Sequence, residues 1–285
     1  GLIVNVIATT GLGPTFSLMI SGWADGNLMI AIVLIAIASL VLGMGLPVTA
    51  AYIVLGTLSA PAPYHMILEA QLVEMLVSGT VAQDVKMFFL MGAPESANLL
   101  EGVMSKADAV ALLQALPPEL LSLINDQAFS PGALTAALLS AHMIIFWLSQ
   151  DSNVTPPVCL TAFAAAAIAG TPQMRTGFTA WKLAKGLYIV PLLFAYSPLI
   201  TGNFTEMIQV FCFALFGVYA IVAGLEGYLE HPLNPVVRLL MFPIGLLMLW
   251  PHGQVLLDGA GLVIFVFALV WCSRRGRRMA TPAAA

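Results

Sequence analysis

Charged side chains are scarce in this sequence. Asp, Glu, Lys and Arg make up 8% of its 285 residues, whereas 60% are hydrophobic. Soluble domains carry roughly 25% charged residues, so these few charges could not cover a soluble protein of this size. Runs of about 20 apolar residues favour membrane helices over the alternating pattern of a barrel. An all-α integral membrane protein is therefore expected. The ranges that lack all four charged types include 26–68, 152–174, 186–205, 207–225 and 239–257.

The residues that most often carry catalysis are also few and scattered. The sequence has no Gly-x-Ser-x-Gly motif and no phosphate-binding glycine loop. Its cysteines, Cys159, Cys212 and Cys272, lie in apolar runs without metal-type spacing. The histidines are equally far apart, at His65, His142, His231 and His252. We expect neither an enzyme, nor a cofactor, nor a nucleic-acid partner.

The first of two informative features is a break in a long apolar stretch. The segment Gly43-Met44-Gly45-Leu46-Pro47 separates a helix predicted over 28–46 from a second one over 47–60. Pro47 lacks an N–H and the glycines weaken the helix before it. Unpaired backbone groups survive in a membrane only where they line a cavity or bind something. The carbonyls of Gly43, Met44 and Gly45 are therefore candidate Na⁺ ligands, because small alkali cations need hard oxygens.

The second feature is "SNVTPPVCLTAFAAAAIAG", residues 152–170. Thr155 as N-cap and Pro156 at the first helical position predict a helix that ends at Gly170. About 14 residues span about 21 Å, too little to cross a hydrocarbon core of about 30 Å. With the apolar run 135–150, this predicts a re-entrant hairpin. Its polar tip begins at Gln150 and runs through Asp151, Ser152, Asn153 and Thr155 to the two prolines. The Asn153 amide oxygen, the Thr155 hydroxyl and backbone carbonyls at the prolines, that of Pro156 among them, are candidate cation ligands.

Two titratable residues near the hairpin have weaker assignments. Asp151 at the tip is a candidate for a supporting role behind the cation ligands. His142 lies within the apolar run of the first hairpin helix. A hydrogen bond to a neighbouring helix is the simpler interpretation of this histidine, and a proton relay is the alternative.

Six segments organise the chain. They are a scaffold and broken helix (1–62), an amphipathic helical insertion (63–134), the hairpin (135–170), a basic amphipathic connector (171–185), C-terminal transmembrane helices (186–273) and a basic tail (274–285). Four spans are predicted in the C-terminal part, over 186–201, 205–225, 236–250 and 254–272. By the positive-inside rule, placing the tail arginines in the cytoplasm also places Arg175, Lys182 and Lys185 there.

The sequence resembles the large membrane subunit of tripartite ATP-independent periplasmic (TRAP) transporters, in the fused branch served by TAXI-type binding proteins. The resemblance rests on "LGMGLPVTAAYIV" and "NVTPPV…AFAAAAIAG" within about 120 residues of similar text. It implies an elevator-type transporter with two inverted repeats, each with a hairpin and a broken helix. This chain would supply the second repeat plus extra C-terminal helices, as the C-terminal part of a longer polypeptide.

The same resemblance implies Na⁺-driven uptake of organic acids, such as C4-dicarboxylates, across the bacterial inner membrane. A periplasmic solute-binding protein would deliver the carboxylate. The other partners would be the lipid bilayer, the N-terminal half of the permease and a small membrane subunit, either separate or fused. The broken helix and the tip, Asn153 to Pro157, would share a Na⁺ site. The candidate substrate-binding residues are Pro47, Thr49, Ser152 and Pro157.

Two alternatives stay open at this point. One is a proton-coupled transporter of similar shape that uses Asp151 or His142. The other is a non-transporting membrane assembly subunit, in which both interruptions are simple kinks.

Overall fold

The computed structural model describes residues 2–100, 102, 104–249 and 255–280, and the secondary structure within these ranges is helical, without strands. The α-helices up to the polar tip are α1 (Leu2–Thr10), α2 (Leu12–Ala24), α3 (Leu28–Gly43), α4 (Val48–Ser59), α5 (Pro61–Ser78), α6 (Gln83–Gly92), α7 (Ala97–Leu100), α8 (Lys106–Ala115), α9 (Pro118–Ala128) and α10 (Pro131–Ser149). After it come α11 (Leu160–Ala169), α12 (Gln173–Leu183), α13 (Val190–Tyr196), α14 (Phe204–Glu226), α15 (Pro235–Leu249) and α16 (Val255–Ala280). Short 3₁₀ segments cover Pro94–Ser96, Gln150–Asn153 and Ala184–Tyr188. The all-α prediction is confirmed.

Polar caps fix where several of these helices begin. The Asn27 side chain accepts the N–H groups of Met29 and Ile30, at 3.0 and 3.3 Å, and starts α3. Asn203 and Glu206 form a reciprocal capping box at the start of α14. These side chains satisfy N–H groups that have no partner within the helix. Long apolar helices therefore begin at defined residues.

The chain divides into two compact units, Gly1–Ser152 and Asn153–Ala285. In the first unit, α10 packs on α3, α4 and α5, and α2 packs on α3 and α4. In the second unit, α11 packs on α12, and α15 packs on both α14 and α16. A cluster of buried side chains holds the last three helices together: Ala220, Ala223, Leu229, Met241, Met248, Phe265 and Cys272.

Within the described ranges, three helical segments are long and apolar enough to cross a membrane: Pro131–Asn153, Phe204–Glu226 and Leu256–Ser273. A fourth is possible if the bent pair Gln173–Leu183 and Gly186–Tyr196, which meet at 46°, forms one span. The protein is therefore a multi-pass membrane protein, as the scarcity of charge predicts.

The predicted second hairpin helix begins too early in the sequence-based assignment. It starts at Leu160, not at Pro156, and Thr155 is not its cap. A residue before proline avoids the helical region, so Pro157 keeps Pro156 out of the helix and the first turn forms beyond both prolines. The end of the helix at Gly170 is confirmed, with φ of 64°.

The first hairpin helix is longer than expected. Ser130 caps it and Pro131 occupies its first turn, so α10 contains 19 residues rather than the short helix predicted over 135–150. The prediction missed this start because residues 131–134 were assigned to the preceding segment. The two helices that flank the tip are thus unequal, since α11 has 10 residues.

The predicted span over 186–201 is also wrong as a continuous helix. A 3₁₀ turn ends at Tyr188 and α13 has seven residues, with Pro191 in its first turn. Proline has no N–H to continue a helix from the preceding turn, which explains the interruption. The span predicted over 205–225 matches α14, which is long enough to cross a membrane. The segment predicted over 236–250 forms the apolar helix α15, but its 15 residues are fewer than a straight crossing needs.

The last predicted span, over 254–272, matches the apolar segment Leu256–Ser273, and helix α16 continues beyond it to Ala280. The arginine side chains of the predicted basic tail, and residues 281–285, lie outside the described part of the chain.

Candidate functional site

The interruption between α3 and α4 follows from its hydrogen bonds. The N–H groups of Gly45 and Leu46 both donate to the Leu42 carbonyl, at 3.1 and 3.0 Å. In a continuous helix the residue at position 47 would donate to the Gly43 carbonyl. Pro47 has no N–H, so this bond cannot form. The helix therefore ends at Gly43 and resumes after Pro47.

Three backbone carbonyls at this break have no helical N–H donor. The Gly43 carbonyl lacks its helical donor, and within the described ranges no backbone N–H donates to the carbonyl of Met44 or Gly45. Met44 is half-buried and Gly45 is exposed. The predicted substrate residues Pro47 and Thr49 are exposed at the start of α4. The break thus offers carbonyl oxygens of the type that binds alkali cations.

The turn after α10 lies directly against the break. A Cβ atom at Gly43 would be 3.1 Å from Ser152 Cα and 3.2 Å from its backbone nitrogen. Ser152 is buried, and its hydroxyl donates to the Ser149 carbonyl at 3.0 Å. The neighbouring Asp151 is 1% exposed. Within the first unit, the fold therefore brings the break together with the start of the polar tip.

A hydrogen bond also joins the second half of the broken helix to α10. The Tyr52 hydroxyl lies 3.2 Å from His142 Nδ1. The Tyr52 ring stands edge-on to Phe146, with ring centroids 5.6 Å apart. The interpretation of His142 as a residue bonded to a neighbouring helix is confirmed.

The second part of the tip belongs to the second unit. The Asn153 amide oxygen accepts the Thr161 hydroxyl at 3.1 Å. Thr155 is 4% exposed, and its hydroxyl has no hydrogen-bond partner among the described residues. Pro156 is buried and Pro157 is exposed, and the peptide between them is cis. Buried hydroxyls are rarely left without a partner in proteins; Thr155 shares this feature with the buried hydroxyls of Ser39 and Ser140 in the first unit.

Helix α12 closes on this segment through a glycine. A Cβ atom at Gly177 would be 2.6 Å from Cys159 Sγ and 3.3 Å from Pro156 Cγ. Any larger residue would push α12 away from the tip. The connector predicted from its basic residues is therefore also a packing partner of the tip segment.

Sequence reasoning missed the residues that contact the predicted ones. Tyr52 and Thr161 are ordinary members of apolar helices, and Gly177 has no neighbouring glycine or proline to mark it. Their partners, His142 and Asn153, are 90 and eight positions away in the chain. No local pattern reports such pairs.

Comparison with protein families agrees with these features. Residues 1–200 match the sequence model of the family described as "Tripartite ATP-independent periplasmic transporter, DctM component". Comparisons with curated proteins and with solved structures give no significant match. The family match covers both the break and the polar tip, and well over half of the 285 residues. The chain therefore belongs to the family of the large, DctM component of TRAP transporters.

Proposed function

We propose that this TRAP permease imports organic acids by Na⁺ symport. Its family consists of transporter components and not of enzymes, and it acts with a periplasmic solute-binding protein and a small membrane subunit. The finer assignments, Na⁺ as the coupling ion and a carboxylate as the substrate, are those that the family resemblance implies. The observation that carries the proposal is the helix break. Its carbonyls have no helical N–H donors, and it lies against the buried turn at Ser152.

Two groups of oxygens are the proposed Na⁺ ligands, one group in each unit. In the first unit they are the carbonyls of Gly43, Met44 and Gly45. In the second unit they are the Thr155 hydroxyl, the Asn153 amide oxygen and the backbone carbonyl of Pro156. The buried hydroxyl of Thr155 supports the second group, because a bound cation would give that oxygen a partner.

The proposed substrate contacts are the exposed residues that flank these ligands, Pro47 and Thr49 at the break and Pro157 at the tip, together with the buried Ser152. The N-terminus of α4 points free N–H groups at its surroundings, and such groups attract carboxylates. Asp151 is proposed to stabilise the turn that holds the cation ligands without contacting the cation itself.

The proposed mechanism is alternating access by an elevator motion. The Tyr52–His142 hydrogen bond and the close contact of Gly43 with Ser152 support a rigid body made of α3, α4 and α10. Such a body would carry the broken helix and the start of the tip together. The partner assignments that accompany this mechanism are a TAXI-type binding protein and the other half of the permease, in the bacterial inner membrane with the basic tail in the cytoplasm.

A proton-coupled mechanism is the alternative that a specific observation favours. Asp151, in the 3₁₀ segment that follows α10, is almost completely buried. His142 in α10 forms a hydrogen bond with Tyr52 in α4. Buried titratable residues in membrane segments often mark proton paths.

The experiment is uptake into liposomes that contain the complete permease and its binding protein. A panel of labelled dicarboxylates and keto acids is tested under an inward Na⁺ gradient and, separately, an inward proton gradient. Na⁺-dependent uptake that the double variant Asn153→Ala, Thr155→Ala loses, or regains only at higher Na⁺, supports the proposal. Uptake driven by protons alone, and abolished by Asp151→Asn, replaces it with the alternative.

A further inference from the structure

Helix α12 carries an exposed apolar row that no other part of its unit covers. Met174, Phe178 and Trp181 recur at the i, i+4 and i+7 spacing of one helix face. They are 45%, 55% and 40% exposed, respectively. The Trp181 indole donates to the Tyr188 hydroxyl at 3.2 Å. Tryptophan and tyrosine are enriched where membranes meet water.

A basic row runs beside the apolar one. Arg175 and Lys182 each follow a residue of the apolar row by one position, which is a rotation of about 100° around the helix. Both side chains are exposed. The sequence from Ser152 to Thr205 contains no acidic residue. This row therefore has a net positive charge without local compensation.

The third face of α12 is the one that packs. Gly177 is buried against Cys159, and helix α11 is the main contact. One side of α12 therefore packs against α11, and the other side carries the exposed apolar and basic rows. With 11 residues it is about 16 Å long, and it bends by 46° into the segment that follows.

We propose that α12 lies along the membrane surface and binds anionic phospholipid headgroups. The apolar row would enter the acyl boundary, and Arg175 and Lys182 would contact lipid phosphates. Charge complementarity selects this partner, because basic residues beside an apolar stripe are what attracts a helix to anionic lipid. This lipid contact does not depend on Na⁺ coupling or on the substrate, because it involves only the exposed rows of α12.

Lipid binding to the purified permease in detergent tests the basic row. Spin-labelled phosphatidylglycerol and phosphatidylcholine are titrated separately into wild type and into Arg175→Gln, Lys182→Gln. We expect phosphatidylglycerol to bind about 25-fold more weakly to the double variant, since each surface charge contributes about fivefold. Phosphatidylcholine binding should not change.

The matched control is Lys86→Gln, Lys106→Gln, which removes the same net charge from α6 and α8. It should retain wild-type affinity for phosphatidylglycerol within about twofold, an effect well below that of two surface charges. Equal losses in both double variants would mean that only total charge matters. Equal binding of the two lipids by wild type would likewise overturn the proposal.

Depth measurement tests the apolar row without changing the charges. In a Cys212→Ser background, Phe178→Cys carries a small fluorophore, since the other two cysteines are buried. Lipids brominated near the headgroup end should quench it more than lipids brominated near the chain end. Stronger quenching by the deep bromines would show that α12 crosses the membrane, and absence of quenching would show that another protein covers the row. Either result contradicts the proposal.

Discussion

The α3–α4 break and the α14–α15 pair are built from the same residue types but differ in what these residues do. Pro47 separates two helices, whereas Pro243 lies inside an uninterrupted α15. Two weak helix formers, Gly43 and Gly45, precede Pro47, while "RLLMF" precedes Pro243. In these two regions the difference lies in what precedes the proline: α15 stays continuous through Pro243, whereas the helix breaks where Pro47 follows two glycines within four residues.

The glycines of the two regions also differ in their contacts. Gly43 faces the backbone of a buried polar turn. Gly245 faces the Gly217 carbonyl and Ile221, on the neighbouring apolar helix. In the first region close approach places carbonyl oxygens beside polar groups, and in the second it only packs two helices. The first region is therefore assigned to function and the second to stability.

The largest effect is expected for Gly43→Ala. The added methyl would be 3.1 to 3.3 Å from three atoms of Ser152, so the turn must move away from the break. Uptake should fall at least about tenfold, because small misplacements at a binding site are costly. The control is Gly22→Ala, where a Cβ meets nothing within 4 Å. Normal uptake by Gly43→Ala would contradict the assignment of the α3–α4 break to function.

Gly245→Ala should instead lower stability. Its Cβ would be 2.7 Å from the Gly217 carbonyl oxygen, and such overpacking costs about 1–3 kcal/mol. We expect a lower thermal unfolding temperature in detergent and an unchanged Na⁺ concentration for half-maximal uptake. A change in that Na⁺ concentration, at unaltered stability, would contradict the assignment of this region.

A smaller loss is expected for Arg238→Gln. Arg238 donates from Nε to the Gly224 carbonyl and from Nη2 to the Leu225 carbonyl, both at 2.8 Å. It thereby caps the C-terminus of α14. Its partial exposure reduces the cost of removal to about 1 kcal/mol. The thermal unfolding temperature of Arg238→Lys should lie between those of wild type and Arg238→Gln, because lysine keeps the charge but cannot donate to both carbonyls as the guanidinium does.

The smallest effect is expected for Tyr52→Phe. It removes the hydroxyl that meets His142 and keeps the ring contact with Phe146. A double-mutant cycle with His142→Phe should give a coupling energy of about 1 kcal/mol in thermal unfolding. Additive effects of the two substitutions would show that the hydrogen bond does not hold α4 to α10.

Part of this arrangement could be predicted from the sequence. The break at Gly43–Pro47 follows from missing N–H groups, and the end of α11 at Gly170 follows from a glycine that accepts a positive φ. These are local effects of single residues. The helix after the tip was misplaced because two consecutive prolines constrain each other, which a single-residue rule for helix starts does not include.

Contacts between distant residues could not be predicted in this way. The approach of Gly43 to Ser152 and the Tyr52–His142 bond depend on how α3, α4 and α10 pack. In an apolar sequence many faces of a helix could be buried equally well, so periodicity does not select the partner. The unpartnered Thr155 hydroxyl is likewise a result of packing.

Equilibrium binding of radioactive sodium to the purified permease tests the central claim most directly. Wild type should bind Na⁺ saturably, and Thr155→Ala should bind it at least about tenfold more weakly, with Thr155→Ser restoring most of the affinity because a hard oxygen ligand is retained. Thr57→Ala is the matched control, since the Thr57 hydroxyl only bonds carbonyls of its own helix. Saturable binding that Thr155→Ala leaves unchanged, or no saturable binding by wild type, would contradict the assignment of the polar tip as a cation site.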